Sequence, residues 1–143
     1  MSKTLEATMG QINDAQGKLP REAIVKAVLA FQATYPTKDW EARAALLSED
    51  VIFEDTVGVP PPAIGRDAAR EYFRMIIGYG WDIEQQPERL IVMGDEAFVL
   101  TRARWNMPGE EPIGLALFHN FKFNDKGEIR HVRIAYDKES LEL

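Results

Sequence analysis

The sequence predicts an α+β domain in which helices come first and a curved antiparallel sheet follows. Three helical patterns occupy the first half of the chain, and four strand patterns joined by tight turns occupy the second half. Helices that precede such a meander pack against one face of its sheet, so the concave face is expected to form a pocket. The 143 residues suit one globular domain, placed at residues 21–143, after a mobile or loosely helical N-terminal extension over residues 1–20.

The first two helices are predicted from the spacing of apolar side chains. Pro20 favours the first turn of a helix, and Pro36 is expected to end it. Between them, one helical face carries Ile24, Val28, Phe31 and Tyr35. Asp39 is placed to cap a second helix. The apolar face of that helix comprises Trp40, Ala44 and Leu47.

A short strand, a loop and a third helix follow. Residues 51–55 are rich in β-formers and predict the strand. The glycine and prolines of residues 58–62 predict the loop. The third helix begins near Arg66 and ends at Gly78 or Gly80. Its inward face is expected to carry Ala69, Tyr72, Phe73 and Ile76.

The second half of the chain is predicted to contain strands only. They span residues 83–93, 97–106, 113–123 and 128–136. Residues 107–109 and 124–127 supply glycine, asparagine and aspartate, which tolerate the backbone angles of tight reversals. These turns predict consecutive hairpins.

Composition excludes several classes of function. The net charge is −6 and the acids are spread along the chain, so no basic surface is expected for nucleic acid or anionic membrane. Without cysteine there is no thiolate nucleophile, and only His119 and His131 remain as imidazole ligands. No nucleotide-binding glycine motif is present. We therefore expect no metal or cofactor and, without a leader or an apolar span, a cytoplasmic protein.

The segment that joins the predicted strand to the third helix carries a family motif. Residues 53–66 read FEDTVGVPPPAIGR and lead into Tyr72-Phe73-Arg74. The segment resembles the bacterial ketosteroid isomerases and the wider polyketide-cyclase-like family, which share a strand ending in Glu-Asp, a Gly-Pro loop and a Gly-Arg helix start. In element order the resemblance extends from about Arg21 to Tyr136. It implies the nuclear-transport-factor-like cone fold with an internal pocket, and a homodimer.

The resemblance places the general base of the isomerases on Asp55. Alternation along the strand puts Asp55 on the face of Val51 and Phe53, so its carboxylate is expected to point into an apolar cavity. There it can take a proton from a carbon next to a carbonyl and return it elsewhere. The alternative is an exposed aspartate that supports the turn after Thr56.

The predicted function is a cofactor-independent isomerase or lyase that acts by proton transfer, with Asp55 as base. Its substrate is expected to be small, flat and apolar or aromatic: a carbonyl, enone or phenolic compound. A hydrolase or cyclase of the same fold, or a non-catalytic ligand-binding dimer, are the alternatives.

The hydrogen-bond donors of the isomerases do not carry over. Ungapped matching puts Phe31 and His119 where the family has a tyrosine and an acid. Phe73 stands where some members have a supporting tyrosine. Because phenylalanine cannot donate to an oxyanion, strict steroid isomerisation is not expected.

Other residues are candidates for these donors. His119 shares an inward strand face with Leu117 and is predicted as a donor, or as an acid near neutral pH; a core histidine is the alternative. The resemblance directs Arg102 and Arg104 inward, where a guanidinium would bind an anionic oxygen. However, the opposite face of the same strand, which carries Val99, Thr101, Ala103 and Trp105, is also apolar enough to be buried.

The remaining predicted contacts are aromatic or apolar. The hydroxyl of Tyr136, at the end of the last strand, is predicted to donate to a substrate oxygen, with a core aromatic as the alternative. The predicted pocket lining also includes Phe31, Tyr35, Phe73 and Leu117. Trp105 and Phe118 are expected on the outer face of the sheet, where they would form the dimer interface.

Overall fold

The computed structural model of the chain describes residues 2–57 and 59–142. Its helices are α1 (Lys3–Asp14), α2 (Arg21–Thr37), α3 (Trp40–Ala45) and α4 (Arg66–Gly78), with a short 3-10 helix at Lys138–Ser140. Its strands are β1 (Leu47–Asp55), β2 (Val59–Ile64), β3 (Asp82–Met93), β4 (Glu96–Asn106), β5 (Ile113–Phe123), β6 (Ile129–Ala135) and β7 (Leu141–Glu142). The predicted α+β architecture is confirmed.

The strands form one sheet in the order β2-β1-β6-β5-β4-β3, and β7 pairs with β5. Every pairing is antiparallel except that of β1 with β6, which is parallel. The predicted turns reverse the chain at Gly109 and Gly127, both at φ +80°. A side chain would be strained at this angle, so glycine fixes both reversals.

Helices α2 and α4 cover the inner face of the sheet. On α2 the predicted apolar face is buried, and Ile24, Val28 and Phe31 have no exposed surface. Pro36 lies inside the last turn rather than at the end of the helix, which continues to Thr37 before Lys38 adopts a left-handed conformation. Asp39 caps α3 as predicted, because its side chain accepts a hydrogen bond from the Ala42 backbone N–H.

The loop predicted over residues 58–62 is largely a strand. Residues 59–64 form β2, which pairs with β1 at the edge of the sheet. An edge strand tolerates proline because its outer N–H groups need no partner strand. Gly58 lies outside the described residues.

The structure also decides which face of β4 is buried. Ala97, Val99, Thr101 and Ala103 point inward and are buried. Gln32 of α2 reaches this face, where its Nε2 donates to Thr101 Oγ1 at 3.1 Å. Arg102 and Arg104 therefore lie on the exposed outer face, and the prediction of an arginine in the pocket is wrong. Arg102 instead pairs in solvent with Glu88 and Glu142.

The N-terminal extension contains α1, none of whose residues is buried. After α1 the chain is attached to the β3–β4 turn, where the Leu19 N–H donates to Asp95 Oδ1 at 3.0 Å. Within residues 2–57 and 59–142, no helix has the length and hydropathy needed to span a membrane.

Candidate active site

A cavity of about 260 Å³ lies between α4 and the inner face of the sheet. Its mouth includes Met75 and Tyr79, whose side chains are 42% and 64% exposed. Among the described residues that line it, Asp55 supplies the only carboxylate. The complete lining comprises Tyr35, Phe53, Asp55, Tyr72, Met75, Ile76, Tyr79, Trp81, Ile83, Gln85, Trp105, Ile134 and Tyr136.

Asp55 is the last residue of β1 and is half-buried. It shares an inward strand face with Val51 and Phe53, which are buried, as the alternation along the strand predicts. Its register partner on β6 is Ile134, another cavity residue. Asp55 Oδ1 accepts a hydrogen bond from the Val57 N–H at 3.0 Å, which fixes the orientation of the carboxylate at the start of the following turn.

Two tyrosine hydroxyls lie within electrostatic range of Asp55. Burial, followed by the negative charge of Asp55, raises the pKa of Tyr136 to about 12. The same two causes, in the same order, raise the pKa of Tyr72 above its usual value. Both hydroxyls consequently keep their protons at neutral pH and are available as hydrogen-bond donors.

The position of Tyr136 agrees with its predicted place in the pocket, whereas Tyr72 was placed on the inward face of the third helix without a role in the site. A signal for Tyr72 does exist in the sequence. Together with Met75 and Ile76 on α4 and with its C-cap residue Tyr79, it forms a stripe at helical spacing that continues beyond the buried Phe73 to the mouth of the cavity.

Two residues that line the β3–β4 side of the cavity each carry a buried polar atom without a partner among the described residues. Trp105 Nε1 and Gln85 Oε1 are both buried, and neither forms a hydrogen bond among the described residues. They lie on adjacent strands, where Trp105 pairs with Ile83 and Gln85 with Ala103. Buried polar groups normally have partners, so these two atoms are exceptions among the described side chains.

Trp105 is therefore an inner-face residue, and its predicted place on the outer face is wrong. Its ring packs edge-on against Tyr136 at 5.2 Å and against Trp81 at 6.4 Å, measured between ring centres. Phe118, the other residue predicted on the outer face, is indeed there and is 60% exposed.

His119 lies in the core and is absent from the cavity lining. Its ring stacks on Phe121 and meets the edge of Phe31, with ring centres at 5.1 Å and 6.4 Å. Burial, and to a lesser extent the charge of Arg43, lowers the pKa of His119 to about 3. The ring is thus neutral at physiological pH, which contradicts the prediction that His119 acts as an acid there.

The hydrogen bonds of His119 stay within the core. Thr101 Oγ1 accepts from Gln32 Nε2 and also shares a hydrogen bond of 2.8 Å with His119 Nδ1. His119 Nε2 has no partner among the described residues. His119 is therefore a core histidine, which was the alternative prediction. Its hydrogen-bond partner is the side chain of Thr101.

Three residues predicted to line the pocket lie deeper than expected. Phe31, Phe73 and Leu117 are buried in the core and do not reach the cavity. The rings of Phe31 and Phe73 instead enclose the guanidinium of Arg43, at 3.7 and 4.2 Å from the ring centres. Of the predicted aromatic lining, only Tyr35 and Tyr136 reach the cavity.

Arg43 is a buried cation that sequence reasoning missed. It lies on α3, and burial lowers its pKa below the usual value. An arginine nevertheless stays protonated in proteins, so its charge persists inside the core. A six-residue helix is too short for periodicity to identify its buried face.

The described residues contain no group of three or more histidines and carboxylates arranged to hold a metal ion.

Solved structures share this fold at low sequence identity. The chain is similar to the Δ5-3-ketosteroid isomerase of Mycobacterium sp., with 16% identity, 84% and 97% of the two chains covered and a TM-score of 0.74. An epoxide hydrolase of M. tuberculosis, described as LEH-like, gives 20% identity, coverages of 84% and 86% and a TM-score of 0.72. The M. tuberculosis protein RV0760c, in complex with estradiol-17beta-hemisuccinate, gives 17% identity, coverages of 85% and 98% and a TM-score of 0.73.

None of the curated proteins matches the chain in sequence. The family profile of the SnoaL-like domain, in contrast, matches residues 28–132, from the middle of α2 to β6. These findings confirm the family resemblance drawn from residues 53–66. The chain belongs to the SnoaL-like domain family and has the cone fold of the ketosteroid isomerases.

Proposed function

We propose that the protein is a cofactor-independent isomerase or lyase in which Asp55 transfers a proton. One observation carries the proposal: among the described residues, the one carboxylate that lines the aromatic cavity shares it with two tyrosines whose hydroxyls remain protonated. A base and separate donors are what proton abstraction next to a carbonyl requires.

The proposed reaction begins with abstraction of a proton by Asp55 from a carbon next to a substrate carbonyl. The electrons of the broken C–H bond move towards the carbonyl oxygen, which becomes an enolate. Hydrogen bonds from tyrosine hydroxyls such as those of Tyr72 and Tyr136 stabilise its negative charge. Isomerisation follows if the proton returns to another carbon, and elimination follows if a leaving group departs instead.

The cavity limits the size and shape of the substrate. At about 260 Å³, it falls slightly below the range of roughly 300–1,000 Å³ that is common for drug-sized ligands. Its lining is mostly aromatic, with Trp81 and Trp105 on one side, so a small flat molecule fits best.

A non-catalytic ligand-binding protein is the second candidate. The hydrogen bond from the Val57 N–H to Asp55 gives this carboxylate a structural role, as the sequence alternative expected. The complex of the similarly folded RV0760c with a steroid ester also favours binding. A hydrolase or cyclase is a further alternative, favoured by the similarity to an epoxide hydrolase.

Asp55→Asn tests the proposal, because asparagine keeps an oxygen for the Val57 N–H but loses the base. We expect turnover of a flat carbonyl, enone or phenolic substrate to fall about 10²- to 10⁴-fold while the affinity for neutral ligands changes little. The exposed Asp50, on the same strand, provides Asp50→Asn as a control with unchanged turnover. Equal binding by wild type and Asp55→Asn, with turnover by neither, would support the ligand-binding protein.

We also propose that two copies of the chain associate through the outer face of the sheet. Phe118 and Phe98 are 60% and 45% exposed there, and Leu100 pairs directly with Phe118 across β4 and β5. Phe118→Glu should convert a dimer into monomers, because a carboxylate buried in the interface would lack a partner. Size-exclusion chromatography with light scattering checks this, and an unchanged mass would reject the interface. The cytoplasmic location stays a prediction.

A further inference from the structure

Arg43 is the most unusual charged group of the fold. Only 4% of its surface is exposed, and its guanidinium lies within 4.3 Å of the ring centres of Phe31, Tyr35 and Phe73. Among the described residues, no carboxylate forms an ion pair with it. Burying a charge without an opposite charge is costly, and an apolar side chain could fill the same space without that cost.

One of the hydrogen bonds of Arg43 leads to a residue of the cavity. Its Nη1 donates to Thr34 Oγ1 at 3.0 Å, and its Nη2 donates to Tyr35 Oη at 2.8 Å. Because the Tyr35 oxygen accepts this bond, the hydroxyl proton of Tyr35 is directed elsewhere. No hydrogen bond among the described residues uses that proton, and Tyr35 lines the cavity.

Tyr35 lines the same cavity as the proposed base, Asp55. The Arg43 guanidinium lies 5.7 Å from the ring centre of Phe53, which precedes Asp55 by two residues on the same inward face of β1. A guanidinium that donates to a hydroxyl oxygen polarises the O–H bond and makes it a stronger donor to a negative oxygen. Aromatic rings on several sides of the guanidinium limit screening of this effect by water.

We propose that Tyr35, held and polarised by Arg43, is the anion-binding group of the cavity and receives the negative oxygen of a flat phenolate or enolate. Tyr35 is then a catalytic residue, since it touches the reacting oxygen, and Arg43 is a positioning residue. Tyr35 follows Phe31 by one helical turn on α2, so the donor missing at Phe31 is supplied from the same helix face. The catalytic part rests on the proposed function, whereas the binding part does not.

Binding of 4-nitrophenol tests the proposal without turnover, because the ionised and neutral forms absorb at different wavelengths. The matched neutral probe is 4-nitroanisole, which cannot ionise. For Tyr35→Phe we expect affinity for the phenolate to fall about tenfold or more, and affinity for the anisole to change less than about threefold. The ring that packs against Phe31 and Phe73 is retained, so the fold should persist.

Arg43→Met and Arg43→Lys test the positioning role. The methionine variant should lose the preference for the phenolate, and the lysine variant should restore part of it because it keeps the charge. Thr34→Val is the control: it removes another Arg43 partner outside the cavity and should leave the preference unchanged. Circular dichroism of each variant verifies folding.

Three results would overturn the inference. Wild type could bind the phenolate no better than the anisole, folded Tyr35→Phe could keep its phenolate affinity, or Tyr35→Phe could lose affinity for both probes equally. If one of these results is found but Asp55→Asn still loses turnover, the inference about Tyr35 fails while the proposed function stands. Asp55→Asn should itself bind the phenolate more tightly, because it removes a like charge.

Discussion

Two polar clusters on the inner side of the sheet differ in what surrounds them. The cavity cluster, Asp55, Tyr72 and Tyr136, borders open space. The core cluster, Gln32, Thr101 and His119, is at most 2% exposed. Its members bond to one another, whereas the cavity cluster keeps hydroxyl protons available. Similar polar side chains therefore act on a ligand in one place and hold α2 to the sheet in the other.

The largest effect that separates the two clusters is the pH dependence of stability. Because the pKa of His119 is about 3 in the folded protein and near 6.5 when unfolded, the unfolded chain binds a proton first as pH falls. The stability from neutral His119 is complete above about pH 6.5 and decreases below it, by about 2–3 kcal/mol at about pH 4.5.

Urea unfolding at about pH 7 and about pH 4.5 measures this loss, with His119→Gln as comparison. All other ionisable groups are the same in both proteins. The difference between wild type and variant in how the free energy of unfolding changes with pH therefore isolates His119. If the free energy of unfolding falls as steeply with pH in the variant as in wild type, groups other than His119 cause the loss. That result would weaken the distinction between the two clusters.

A smaller effect is expected from Tyr136→Phe in the cavity cluster. Removing one donor to the developing negative charge should lower kcat about tenfold, while the free energy of unfolding changes by less than about 1 kcal/mol. Steady-state kinetics and urea unfolding measure the two quantities. A large loss of stability with unchanged kcat would mean that Tyr136 belongs functionally with the core.

The smallest effect concerns the outer face of the sheet. Arg102→Ala removes exposed ion pairs with Glu88 and Glu142, which are each worth at most about 1 kcal/mol. Turnover should stay within roughly twofold of wild type, because the side chain points away from the cavity. A strong loss of turnover in a stable Arg102→Ala protein would mean that Arg102 takes part in the active site.

Local patterns of the sequence were sufficient for the order of the longer helices and strands and for the place of Asp55, but not for β2. Turn residues at 107–109 and 124–127 limit the strands, and strict alternation gives Asp55 the face of two buried residues. Alternation failed on β4, where both faces carry apolar side chains. Which face is buried depends on α2, through contacts such as that of Gln32 with Thr101.

The depth of a residue on an inward face was also beyond local reasoning. His119 on β5 and Tyr136, which follows β6, were both predicted to point into the pocket, yet only Tyr136 reaches the cavity. Packing of Phe31 and Phe121 around His119 decides this, and it joins segments distant in the chain. Arg43 was missed for the same reason, since its aromatic neighbours come from three other elements.

Solvent exchange into a bound ketone tests the central claim most directly, because it detects proton abstraction even when no product accumulates. A flat ketone that binds wild type should take up deuterium next to its carbonyl in D₂O, as measured by proton NMR. Asp55→Asn should slow this uptake about 100-fold or more, and Asp50→Asn should leave it unchanged. Binding without exchange in wild type, or equally fast exchange in Asp55→Asn, would contradict Asp55 as the proton carrier.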